Sequence, residues 1–153
     1  MREALNNAQK ELGRADHLFH VTLKYTRTVD VLKSLIQRLI TAMDFGIEAL
    51  LRQCKEKKLI TDVPELPRLR IEILKKEFSD DPEIQRFLEF FMLLRKIEKA
   101  KFNKAMEYRR HVTMTVNLDE KQQAEITIDI IGDYFKKTKE FINYVEEIIK
   151  EKE

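Results

Sequence analysis

Six cations crowd one stretch of the chain. Lys96, Lys99, Lys101, Lys104, Arg109 and Arg110 fall within fifteen residues, and Tyr108 and His111 stand among them. Lysine and arginine neutralise phosphates, and flat rings stack on unpaired bases, so this mixture is the chemistry of a single-stranded RNA surface. Lys96, Lys99, Lys104, Arg109, Arg110 and His111 are therefore the candidate RNA contacts. Glu98 and Glu107 offset the charge only in part. Cations toward the C-terminal end of a helix also complement its dipole, which gives the same residues a purely structural use. Lys24, Tyr25 and Arg27 repeat the mixture early in the chain, and would extend the surface if the fold brought them near.

Carboxylates and imidazoles at helical spacing form a second group. Asp16 and His20 are four apart with His17 beside them, Asp44 and Glu48 are four apart, and so are Asp129 and Asp133. Pairs of this kind can start a metal site when two helices bring them together. Ion pairs on solvated helix flanks are the simpler use, and no metal or cofactor is expected. The three glycines stand alone, so there is no phosphate-cradling loop and no nucleophile elbow. Cys54 is the single cysteine, which excludes an intrachain disulfide and a cysteine-based zinc site and suits a reducing compartment.

The elements that must position these residues are helices. Three Gly, three Pro and no Trp, with 37% charged and 43% hydrophobic residues, describe an all-α chain, since strand folds need more turn residues. A length of 153 residues makes one domain, spanning residues 1–153. Lys and Arg number 29 against 27 Asp and Glu, so any basic surface must be local. No apolar run is long enough to span a membrane and the start lacks a signal-peptide core, so a cytoplasmic protein without membrane association is expected.

A first helix is predicted over residues 3–24 from Ala4, Leu5, Ala8, Leu12, Ala15, Leu18 and Phe19. Thr22, Thr26 and Thr28 loosen the chain, and Thr28 suits an N-cap. A second helix then runs over seven turns from Val29 to the cations of residues 55–58, unless the loosening is slight and the two form one rod. Pro64 and Pro67 mark a connector and the start of a short helix. Asp81-Pro82-Glu83 supplies a cap, a proline suited to the first helical position and an acid in the first turn. The helix it opens should run to residues 112–115. Its segment 87–94 is apolar all round, which makes it the central rod of the bundle and gives it a dimer surface of Phe87, Phe90, Phe91 and Leu94. The alternation in residues 112–116 looks strand-like but has no second strand to pair with, so it reads as a frayed end. Asn117-Leu118-Asp119-Glu120 opens a last helix with Ala124, Ile128, Ile131, Phe135, Thr138, Ile142, Val145 and Ile149 inside. The expected architecture is an up-and-down four-helix bundle with an additional short helix.

This layout resembles the HEPN superfamily of helical-bundle proteins. The resemblance rests on Ala8, Leu12 and Ala15 in the first helix and on Arg38-Leu39-Ile40-Thr41-Ala42 and Glu48-Ala49-Leu50-Leu51 in the second. Met106-Glu107-Tyr108-Arg109, the Asp119-Glu120 helix start and Phe141-Ile142-Asn143-Tyr144-Val145 complete it. The resemblance implies a four- or five-helix bundle, frequent homodimers, and association with nucleotides or RNA, often as ribonucleases in defence and toxin systems. It also implies an Arg followed after four to six residues by a His. Arg14 and His20 have that spacing but lie in the first helix, with Ala15 where a polar residue is usual, and Arg109-Arg110-His111 has no later His. No catalytic residue is carried over. The expectation is a dimeric interaction module without an evident active site, part of a two-component toxin–antitoxin-like or RNA-associated system, with a homodimer or another protein as partner. The alternative is an RNA-binding or RNA-cleaving protein using the basic helix end. A metal- or nucleotide-handling enzyme built on Asp16, His20, Asp44 and Glu48 is a third.

Overall fold

A computed structural model describes residues 1–151. Its axis is the helix Val29–Glu56 (α2), where the three-and-four repeat of Leu32, Leu35, Ile36, Leu39, Met43, Ile47 and Leu50 is fully buried. More than half of α2 is out of solvent, so several elements must cover it. They are the helix Arg2–His17 (α1), the short helix Pro67–Glu77 (α3), the helix Pro82–Lys99 (α4) and the helix Ile128–Glu151 (α5), all of which pack on α2. The central rod is therefore α2, not the helix carrying residues 87–94.

α1 and α2 are separate helices. After His17 the chain makes a π-helical turn, Leu18–Thr22, and one last α-turn to Tyr25. The π turn presents Phe19 to α5, where it stacks on Phe135 at 6.1 Å and lies 3.1 Å from where a Cβ on Gly132 would be. Thr26 then leaves helical geometry, and the Thr28 hydroxyl accepts from the Val31 N–H at 3.3 Å to cap α2. Pro67 takes the first position of α3. Asp81 caps α4 as its sequence predicts, with Oδ1 accepting from Glu83 and Ile84 at 3.1 and 3.2 Å. Its second oxygen accepts from the Tyr144 hydroxyl at 2.8 Å and so ties α4 to α5.

Three expectations are overturned beyond Lys99. α4 ends there because Ala100 is extended, and the chain continues as a three-stranded antiparallel sheet in the order β1-β2-β3, formed by Lys101–Ala105 (β1), Thr113–Asn117 (β2) and Gln123–Ile126 (β3). The fold is predominantly helical but not purely so. β2 is the alternating stretch read as a frayed end. Met114 and Val116 are its buried side chains, and its register sets Phe102 against Val116 and Met114 against Ile126. The last helix does not open at residues 117–120. There the Asp119 carboxylate accepts from the Lys121 and Gln122 N–H groups at 2.8 Å each, closing the β2–β3 turn. α5 opens later, where the Thr127 hydroxyl accepts from Ile130 at 3.3 Å.

The dimer surface expected of Phe87, Phe90, Phe91 and Leu94 is largely consumed within the chain. Phe91 and Leu94 are buried, Phe90 is 8% exposed, and half-buried Phe87 lies 5.2 Å from the Phe141 ring and 5.9 Å from that of Tyr144. Apolar side chains surround α4 because α2 and α5 need them there. Met92 alone of segment 87–94 leaves a large apolar side chain exposed.

Two glycines should respond oppositely to Ala. A Cβ on Gly46 would lie 2.8 Å from Phe141 and 2.9 Å from Ile142, so Gly46→Ala should cost about 1–3 kcal/mol through overpacking. Nothing lies within 4 Å of a Cβ on Gly13, so Gly13→Ala should stabilise by up to about 1 kcal/mol through helix propensity. Urea unfolding measures both. Asp81→Ala, which removes a cap and the Tyr144 acceptor together, should lower stability by about 1–3 kcal/mol in the same assay.

Candidate nucleic-acid surface

The early bend and the loop after β1 meet. At the bend, the exit of Thr26 from the helix leaves Lys24 and Tyr25 exposed and Arg27 half-buried. Beyond Ala105 the chain reverses through Met106 and Tyr108, both left-handed with φ of 58° and 62°. Such a backbone costs non-glycine residues about 1–2 kcal/mol each and is retained where the surroundings enforce it. The enforcing contact is the Tyr108 N–H, which donates to the Arg27 carbonyl at 2.6 Å. Lys104 adds a second fastening. Its ammonium lies 3.5 Å from Asp30 at the start of α2 and 3.7 Å from Glu107. Lys33 sits over the Phe102 ring at 4.8 Å, a second link between α2 and β1 and a third fastening in all.

The product is one surface built from two distant pieces of sequence. Tyr25 and Tyr108 are 78% and 75% exposed, the two most exposed large apolar side chains described. Arg109, Arg110, His111 and Lys24, on the same two segments, are exposed as well. Their backbones turn tightly, Arg109 N–H to Met106 C=O at 3.2 Å and Val112 N–H to Arg109 C=O at 3.1 Å, while buried Val112 anchors the exit into β2. Exposed rings and exposed guanidiniums on joined segments can stack on bases while the cations meet phosphates.

Other candidates are placed elsewhere. The basic set is not one helix face: Lys96 and Lys99 are on α4, Lys104 on β1, and Arg109, Arg110 and His111 in the loop. Lys99 lines a cleft of about 580 Å³ against α3 with Arg68, Lys75, Met92 and Arg95. Asp16 and His20 form an exposed pair at 2.9 Å. Asp44 binds Arg70 at 3.2 Å and Glu48 binds Arg52 at 2.8 Å, so both serve as ion-pair partners. Among the described residues, no three His, Cys, Asp or Glu side chains gather into a metal-binding group. Burial, then the Asp133 carboxylate, push the Tyr134 phenol above its ordinary pKa; it sits on α5 with its ring 5.4 Å from Phe90.

One arrangement escaped the sequence. Glu11 lies on the inner stripe of α1 among Ala4, Leu5, Ala8 and Ala15 and is 4% exposed. One of its oxygens pairs with Arg14 and the other with Arg38 at 3.3 Å. A charged residue at an inner position was the signal available.

Comparison with protein-family models, curated proteins and solved structures finds no match. No helix among the described residues is long and apolar enough to cross a membrane.

Tyrosine-directed reagents can check the surface. Tetranitromethane should nitrate Tyr25 and Tyr108 well before Tyr134, which is less exposed and harder to ionise to the reactive phenolate, and before Tyr144, half-buried against Asp81. Peptide mass spectrometry at increasing reagent reads the order.

Proposed function

We propose that this chain binds single-stranded RNA on the surface where the bend after α1 meets the loop after β1. One observation carries this reading, the 2.6 Å hydrogen bond from Tyr108 to Arg27, because it unites Lys24 and Tyr25 with Tyr108, Arg109, Arg110 and His111. Two exposed rings amid cations, on a chain of formal net charge only +2, favour a local contact with strand and backbone over diffuse attraction. A HEPN-like frame is part of the proposal: α1, α2, α4 and α5 supply four long helices and α3 the short one. The dimeric module is less well supported, since Phe90, Phe91 and Leu94 are buried in their own chain.

Fluorescence anisotropy with a labelled single-stranded RNA tests this. Affinity should fall by about tenfold or more between roughly 50 and 200 mM salt, and Arg109→Ala/Arg110→Ala should flatten that dependence. Tyr25→Ala and Tyr108→Ala should each weaken binding by about five- to a hundredfold, the worth of one stacked base. RNA should also protect both tyrosines from nitration. Undetectable binding at low salt, or equal affinity in all variants, would exclude this surface.

A further inference from the structure

The groove between α1 and α2 holds a second concentration of positive charge, and it shares no residue with the tyrosine surface. Lys10, Arg14 and His17 follow at spacings of four and three, so they project along one face of α1. Arg38 enters from α2, and with Gly13 and Leu18 these residues line a cleft of about 590 Å³, within the size range of small-molecule sites.

The two arginines are braced. Glu11 lies beneath them, almost wholly buried, and holds each guanidinium through a single Nη1, the Arg38 contact being 3.3 Å. Its one negative charge cannot cancel Lys10, Arg14 and Arg38 together. The Arg14 and Arg38 side chains remain 59% and 46% exposed, so the other donors of each fork stay open to the cleft. Two guanidiniums fixed by a buried carboxylate have given up part of their rotamer freedom before any ligand arrives, which favours binding.

Gly13 is the second observation. It sits inside α1, has no left-handed backbone, and a Cβ there would meet nothing within 4 Å. Neither packing nor backbone geometry calls for glycine, and in a helix interior it weakens the fold. What it leaves is exposed, open space among Lys10, Arg14, His17 and Arg38, where a ligand can approach the backbone closely.

We infer that this groove binds a phosphomonoester, as carried by a free mononucleotide or by the 5′ end of a nucleic-acid strand. A dianion with three terminal oxygens matches two guanidinium forks and an ammonium, where a single carboxylate would leave charge uncompensated. Leu18 offers apolar contact to the group the phosphate carries.

Isothermal titration with adenosine 5′-monophosphate, inorganic phosphate and adenosine tests the assignment. The two phosphate-bearing ligands should bind and adenosine should not. Arg38→Ala should weaken the mononucleotide at least tenfold. Gly13→Leu should weaken it as strongly while raising the melting temperature, a combination that misfolding cannot produce. A 5′-phosphorylated trinucleotide binding more tightly than its 5′-hydroxyl counterpart, with the difference lost in Gly13→Leu, assigns strand ends as the source; equal binding of the two strands beside mononucleotide binding assigns the free nucleotide. Arg109→Ala/Arg110→Ala should leave mononucleotide binding unchanged, so this site and the RNA surface stand or fall separately. Adenosine binding as well as its monophosphate, mononucleotide binding unchanged in Arg38→Ala and Gly13→Leu, or no binding at about 10 mM ligand overturns the inference.

Discussion

A helix buried on several sides cannot exist alone, and α2 imposes that condition on the rest of the chain. Leu32, Leu35, Ile36, Leu39, Met43, Ile47, Leu50 and Leu51 point in enough directions that α1, α3, α4 and α5 are each needed to keep water from them. Burial of side chains this size is worth about 1.5–3 kcal/mol each before conformational entropy is counted, so the covering helices are positioned by α2 more than by their own propensities. Gly46 marks how closely this is done. It faces Phe141 and Ile142 at distances where no further carbon fits, so α5 lies against the α2 backbone itself. The aromatic segment of α4 fills the side that remains, with Phe91 and Leu94 buried and Phe87 against Phe141.

Much of this was legible in the residues. The apolar repeat of α2, the Thr28 and Asp81 caps, and the prolines at the starts of α3 and α4 are local signals, and the structure uses each of them. The sheet was not legible, for a physical reason. β1, Lys-Phe-Asn-Lys-Ala, and β3, Gln-Ala-Glu-Ile, are composed of residues that favour helices or turns as readily as strands. Their pairing with β2 is a tertiary event that propensity does not register. Asp119 misled for a related reason: a carboxylate accepting from the second and third following amides looks the same at a helix start and in a tight turn. The prominence given to residues 87–94 came from counting apolar neighbours along one helix without knowing which other helix needed more cover.

The candidate surface was half legible. Its residue types were visible, and so was the similarity between the cluster at residues 24–27 and that at 104–111. Their meeting is fastened by a backbone hydrogen bond, Tyr108 to Arg27, between groups that every residue of the chain except proline carries, and by the side-chain contacts Lys104–Asp30 and Lys33–Phe102. The backbone bond leaves no trace in side-chain identity, and the two side-chain contacts pair residues more than sixty positions apart. The groove beside Glu11 was hidden differently, since its partners Arg14 and Arg38 look like ordinary solvated arginines until the carboxylate between them is seen to be buried.

The small sheet has one more consequence. With β2 in the middle, β1 and β3 each leave one line of backbone donors and acceptors unpaired, and such borders are where a strand from another molecule can add. β1 carries Lys101 and Lys104, and β3 carries Glu125, all exposed. An incoming copy aligned with β1 would bring like charges together and strip water from them. The polar composition that disguises β1 as the tail of a helix is thus also what guards the sheet against growing into an aggregate.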